Sequence, residues 1–193
     1  KKVEDFLKAV QGNENVAQEK YILELSGVQE KALNEIKGSF GSAPGKPVLL
    51  RGVTGSGKTE VFIRAVRHAA QLGKTDIVLV PEIALTPQMV SWLHARFGAD
   101  AAVLHSRLSP GERYDEWRRS RRGDVRVVIG ARSAIFAPLE NIGLIVVDEE
   151  HENTYKSELS PKYNAVEIAK FRARQHNSVV ILASATPLAE STY

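Results

Sequence analysis

Three observations predict an α/β fold with a mostly parallel sheet covered by helices on both faces. The chain contains short apolar runs rich in Val and Ile, capped amphipathic segments alternate with them, and a glycine-rich loop sits at one junction between the two. Strands buried on both faces read as continuous apolar runs, not as alternating ones. Strand and helix patterns in alternation are the signature of parallel crossover units.

The apolar runs place strands at residues 48–50, 77–80, 101–104, 125–129, 144–147 and 179–182. Helical spacing comes first at Val28, Ala32, Leu33 and Ile36, before a Gly/Ser/Pro-rich loop over 38–45. A second stripe runs through Val61, Phe62, Ala65, Val66, Ala69 and Leu72, and Gly73 ends it. Thr86-Pro87 starts a third helix, with a capping hydroxyl before a proline at the first helical position and Met89, Val90, Leu93 and Phe97 on the apolar face. Ser109-Pro110-Gly111-Glu112 repeats the device and adds the glutamate of a capping box. Ser160-Pro161 reads as one more start, ahead of Ala165, Ile168, Ala169 and Arg172. Residues 1–24 are polar and mixed and read as a linker or peripheral helix, which leaves 25–193 as one domain.

Composition narrows the function classes. There is no Cys, so disulfides and thiolate metal sites are excluded, and the histidines lack metal-ligand spacing, so no zinc or other transition-metal site is expected. No apolar run approaches the ~18 residues that span a bilayer, and the N-terminus lacks a signal-peptide core, so a cytoplasmic protein with no membrane partner is expected. The first residue is not Met, and the chain stops at Tyr193 soon after a strand-like run, as a piece of a longer protein would. The formal net charge is +3, and six arginines against three acids between 113 and 126 carry the same excess locally. A solvated helix face and a phosphate-tracking surface both explain that cluster.

The chemistry is carried by Gly52-Val53-Thr54-Gly55-Ser56-Gly57-Lys58-Thr59, a phosphate-binding loop between a strand and a helix. Its glycines admit backbone angles closed to other residues and let N–H groups approach phosphate oxygens, while the following helix aims its positive dipole end at the same anion. Lys58 is placed to reach the outer phosphates, Thr59 offers a hydroxyl to Mg2+, and Thr54, Gly55, Ser56 and Gly57 line the cradle. The apolar strand over 144–147 ends in Asp148-Glu149-Glu150-His151. Ligands of parallel sheets sit at the carboxyl ends of the strands, which puts Asp148 near the loop as a magnesium ligand and Glu149 as the group that orients or deprotonates water. A kinase shares the loop but offers no reason for the acidic segment.

Residues 52–59, 148–151 and Ser184-Ala185-Thr186 resemble motifs I, II and III of superfamily 2 helicases, in that order. Residues 52–61, 80–88, 103–106, 129–138 and 148–151 together resemble the bacterial PriA family of replication-restart helicases, over about residues 25–193. The resemblance implies the first RecA-like motor lobe, a P-loop NTPase fold, with ATP and Mg2+ as cofactors. It implies a nucleoid-associated bacterial setting and, as partners, forked or single-stranded DNA, a second RecA-like lobe and other primosome and replication-restart proteins.

The same resemblance implies that Gln29 reads the adenine edge, that Thr86, Gln88, Arg132 and Ser133 hold a DNA strand, and that His151, Ser184 and Thr186 pass the state of the γ-phosphate to the DNA face. Thr86 reads equally as a plain helix cap, and Arg132 as the partner of a structural carboxylate. This chain has Ala131 where a threonine is usual, Arg107 where glycine is common and Val166 where an arginine is usual. Tyr155, in the stretch resembling the family's aromatic loop, reads either as a base-stacking group or as a residue packed on its own domain. Because such motors hydrolyse ATP between two lobes, the chain alone is expected to bind nucleotide weakly and turn over very little. Another superfamily 2 translocase of the restriction or recombination type, or a non-catalytic nucleotide-binding module, is the alternative.

Overall fold

The computed structural model describes residues 24–41, 47–53, 55–158 and 160–185. Thr54, Thr186 and all of the expected 1–24 linker or peripheral helix except Glu24 lie outside them. In chain order the elements are α1 (Gly27–Ser39), β1 (Pro47–Arg51), α2 (Lys58–Gln71), β2 (Thr75–Leu79), α3 (Pro87–Phe97), β3 (Ala101–Leu104), α4 (Pro110–Arg122), β4 (Val127–Gly130), β5 (Ile142–Asp148), β6 (Lys156–Ser157), β7 (Tyr163–Asn164), α5 (Ala165–His176) and β8 (Val179–Ser184).

Six strands form one sheet in the order β1-β8-β5-β2-β4-β3, and every pairing in it is parallel. Because side chains alternate along a strand, each strand feeds both faces. Val78, Val146 and Ile181 join one cluster with Ile36, Phe62, Val66 and Leu93 from α1, α2 and α3. Ile77, Leu79, Ile145, Val147 and Leu182 join the other with Ile135, Ala169 and Ala173. Val146 and Ile145 are both 0% exposed, which is why their run lacks polar alternation. The two-faced α/β fold expected from the sequence is the one observed.

Helix starts follow the caps with one exception. Thr86 Oγ1 accepts the Met89 N–H at 3.2 Å, and Ser109 and Glu112 complete a capping box at α4. Ser160-Pro161 does not start a helix: it lies between the two strands of a short antiparallel hairpin, β6 and β7, and α5 begins four residues beyond Pro161, where Asn164 Oδ1 accepts the Val166 N–H at 3.0 Å. In the arginine cluster, Arg119 bonds Glu116 and the Ala99 carbonyl, and Arg118 lies over the Tyr114 ring. Among the described residues no helix is long and apolar enough to cross a membrane.

Candidate nucleotide-binding site

The loop after β1 is shaped by its glycines. Gly55 and Gly57 have φ of 80° and 83°, the left-handed region that side chains resist. A Cβ on Gly52 would lie 2.5 Å from Ser56 Oγ, so a side chain there would have to displace the Ser56 hydroxyl. Ser56 N–H donates to the Val53 carbonyl at 3.0 Å, and α2 starts directly at Lys58. Lys58 is 8% exposed, and its Nζ donates to the Gly52 carbonyl at 2.6 Å and, more weakly, to that of Val53 at 3.4 Å. Thr59, half-buried, occupies the next position of the helix.

The acidic segment reaches the loop although its strand is not the loop's neighbour. β8 lies between β1 and β5, with Arg51 paired to Ser184 and Asp148 paired to Ala183. Glu149 bridges that gap: its Oε1 lies 3.5 Å from Lys58 Nζ, and its Oε2 accepts the Ala185 N–H at 3.5 Å and lies 3.6 Å from His151 Nδ1. His151 Nδ1 and Ser184 Oγ share a hydrogen bond of 2.8 Å. Lys58, Glu149, His151 and Ser184 therefore form one connected cluster.

Two features mark Asp148 and Glu149 as constrained. Burial pushes the Asp148 carboxyl up to about 6, and the Glu149 charge pushes it the same way, against the opposing pull of Lys58 and of the Glu149 N–H that donates to Asp148 Oδ1 at 3.1 Å. Glu149 has φ of 48°, an uncommon conformation for a residue with a Cβ and one that clusters at functional sites. Tyr155, 1% exposed, fixes the turn beyond it by donating to the Asp148 carbonyl at 2.6 Å. Burial raises the phenol pKa, so the hydroxyl stays a donor. Tyr155 thus packs on its own domain; sequence reasoning missed this contact because nothing in the spacing of Asp148 and Tyr155 announces it.

Gln29 is placed against the loop. Its Nε2 donates to the Ser56 carbonyl at 2.9 Å, and its Oε1 accepts the Ser26 N–H at 2.9 Å as the second half of a capping box at α1. Those bonds use two of the amide's four hydrogen-bonding positions. At the far half of the sheet, Thr86, Gln88 and Ser133 are exposed. Arg132 instead turns its Nη1 to the carbonyls of Lys156 at 2.7 Å and Thr154 at 3.5 Å, partners that are backbone and not the structural carboxylate considered from sequence.

The model of the DEAD/DEAH box helicase family matches residues 26–192. The chain belongs to that family. It is 53% identical over 169 residues to the replication restart protein PriA of Bacillus subtilis (strain 168), a stretch covering 88% of this chain and 21% of the relative. It is 50% identical over 169 residues to replication restart protein PriA of Treponema pallidum (strain Nichols), covering 88% of this chain and 25% of that one. The resemblance to PriA seen in the motifs therefore extends over most of the chain, which spans a fifth to a quarter of the length of these curated relatives. Among solved structures, RecG bound to a three-way DNA junction superposes with a TM-score of 0.63 at 24% identity, over 97% of this chain and 23% of that one. The Pyrococcus furiosus Hef helicase domain gives 0.59 at 20% identity, over 85% and 34%. Likeness at this identity concerns the fold, a helicase RecA-like lobe.

Proposed function

We propose that this chain is the ATP-binding first motor lobe, about residues 25–193, of a replication-restart DNA helicase that couples ATP hydrolysis to translocation on DNA and its unwinding. One observation carries the reading: the Lys58 ammonium is held under the glycine-rich loop and 3.5 Å from Glu149, so the phosphate-binding and the water-handling ends of the site already meet. Family membership and the PriA relatives support it further.

In this reading the N–H groups of 52–59, with Thr54 among them, cradle the phosphates, and Lys58 leaves the Gly52 carbonyl for the outer ones. The donor set suits a hard divalent cation: the Thr59 hydroxyl and the Asp148 carboxyl are oxygens, and a carboxyl raised first by burial and then by a neighbouring anion gains from a cation beside it. Mg2+, when bound, neutralises charge that develops on the transferring phosphate. Glu149, fixed by Lys58, Ala185 N–H and His151, orients the attacking water and takes its proton. Gln29 contributes the adenine contact from its place against Ser56. His151, Ser184 and Thr186 relay the nucleotide state, and Thr86, Gln88 and Ser133 face DNA, with Arg132 offering it the guanidinium N–H groups other than the Nη1 bonded to the hairpin carbonyls. A second RecA-like lobe supplies the charge that completes the transition state. Restart proteins are the partners, and the setting is the bacterial cytoplasm at the nucleoid.

The test is Glu149→Gln in the full-length protein. Hydrolysis is expected to fall at least ~100-fold, the scale of losing a general base, while nucleotide affinity stays within about threefold, since the amide keeps the shape and loses only the basicity. Hydrolysis at the parent rate would overturn the role given to Glu149, and a parent protein that binds nucleotide without hydrolysing it would overturn the motor reading in favour of a non-catalytic module.

A further inference from the structure

β2 and β3 are not neighbours, because β4 runs between them. Two strand spacings put them about 9 to 10 Å apart, yet the loops beyond their carboxyl ends are bonded directly at two points, both donated by the loop after β3. The Ser106 N–H, after β3, donates to Glu82 Oε1, after β2, at 3.0 Å. Arg107 Nη2, from the same loop as Ser106, donates to the Leu85 carbonyl. The pair bridges the end of β4, where Gly130 leaves no room to spare: a Cβ there would stand 2.6 Å from the Leu104 carbonyl oxygen. Val80 N–H donates to the Gly130 carbonyl at 3.0 Å, so the three stretches 80–88, 103–107 and 130–136 interlock as one unit.

Glu82 and Arg107 are both exposed, so burial does not order them. Their bonds fix Leu85, the residue before the α3 cap Thr86, and fix Ser106 opposite it. We propose that Glu82 and Arg107 are a clasp that sets Thr86 and Gln88, at the start of α3, to receive the backbone of single-stranded DNA, with Arg107 acting as a positioning residue and not as a phosphate contact. The proposal rests on the DNA-motor reading. A loop ordered before binding spares the complex the cost of ordering it at the moment of association. The Arg107 guanidinium is what reaches Leu85, and a glycine at that position has no group to do so.

Charge alone and the clasp predict opposite signs. Glu82 is an anion beside a surface meant for a polyanion, so electrostatics says that removing it tightens binding. The clasp says that it weakens binding. The experiment is fluorescence anisotropy of the full-length protein on a labelled oligothymidylate across salt concentrations. Glu82→Ala is expected to weaken binding about five- to tenfold, and Glu82→Gln to stay within about twofold, because the amide oxygen still accepts the Ser106 N–H. Arg107→Gly is expected to weaken binding by a similar factor with the salt slope unchanged, whereas loss of a phosphate contact lowers that slope by about 1. Tighter or unchanged binding by Glu82→Ala, or a reduced slope for Arg107→Gly, overturns the proposal. Amide exchange at Ser106 reads the clasp without DNA and is expected to quicken about tenfold in Glu82→Ala; unchanged exchange also overturns it. If the parent protein fails to bind the oligonucleotide, the DNA-motor reading falls, while the exchange result still decides whether the clasp exists.

Discussion

The two halves of the sheet are organised by different interactions. Around β1, β8 and β5 the loops are tied to backbone, as by the Ala185 N–H on Glu149, and also by a chain of side-chain pairs: Lys58 with Glu149, Glu149 with His151, His151 with Ser184. Around β2, β4 and β3 each tie between loops has a backbone group at one end: the Ser106 N–H on Glu82, the Leu85 carbonyl under Arg107, and the Lys156 carbonyl under Arg132, which anchors the same half to the hairpin. Side-chain charges can change partner when a phosphate arrives. Bonds anchored on backbone keep a surface in one shape. The difference teaches that side-chain pairing on one half and backbone-anchored ties alone on the other are built on one floor, the buried middle of the sheet.

Ile145→Ala strikes that floor. Ile145 is 0% exposed in the middle of β5, and truncating such a side chain costs about 2–5 kcal/mol. Both halves are expected to lose stability together in one cooperative denaturant transition; two separate transitions would mean that the halves are independent. Gly130→Ala is confined to the second half. The added methyl meets a backbone carbonyl that cannot swing away, so overpacking of about 1–3 kcal/mol is expected, with the amides near 104–107 exchanging faster and those of α2 unchanged.

Asp76→Asn probes the seam, since β2 joins the halves through β4 and β5. Asp76 is 0% exposed, and burial raises its carboxyl well above the ordinary value, opposed more weakly by the Leu144 N–H. A carboxyl whose folded pKa is raised favours the fold while protonated, so stability declines as pH climbs from the unfolded value near ~4 toward the folded one. The asparagine variant is expected to melt above the parent at pH 7 to 8 and to converge with it toward pH 4. An unchanged difference across that range would show that Asp76 does not titrate with folding.

The sequence made the strands legible because a buried parallel strand is a continuous apolar run, and all six expected runs became strands. Their ends were less so. Asp148 and Ser184 lie inside β5 and β8 although both are polar, because their backbone pairing continues to the edge of the site. The Ser-Pro signal was truthful at Ser109 and misleading at Ser160, where hairpin pairing of Ser157 with Tyr163 decided the local structure. The glycine-rich loop and the acidic segment stood out by residue type, and the structure brings them together at Lys58 and Glu149. That β8 would separate them, that Gln29 would rest on Ser56, and that Arg132 would turn to carbonyls of the hairpin were not, because each depends on contacts between segments distant in the chain.

The place of β8 bears on how the protein comes to be made. β1 and β5 both precede β8 in the chain and are joined in the sheet only through it, so the strand ends that carry the loop and Glu149 come into register once residues 179–184 have paired with both. Long-range parallel pairing of this kind forms slowly and leaves unpaired edges in the meantime. The strand that closes the gap between the loop and the acidic segment is thus the one, among the six described, that lies furthest along the chain from the loop it serves.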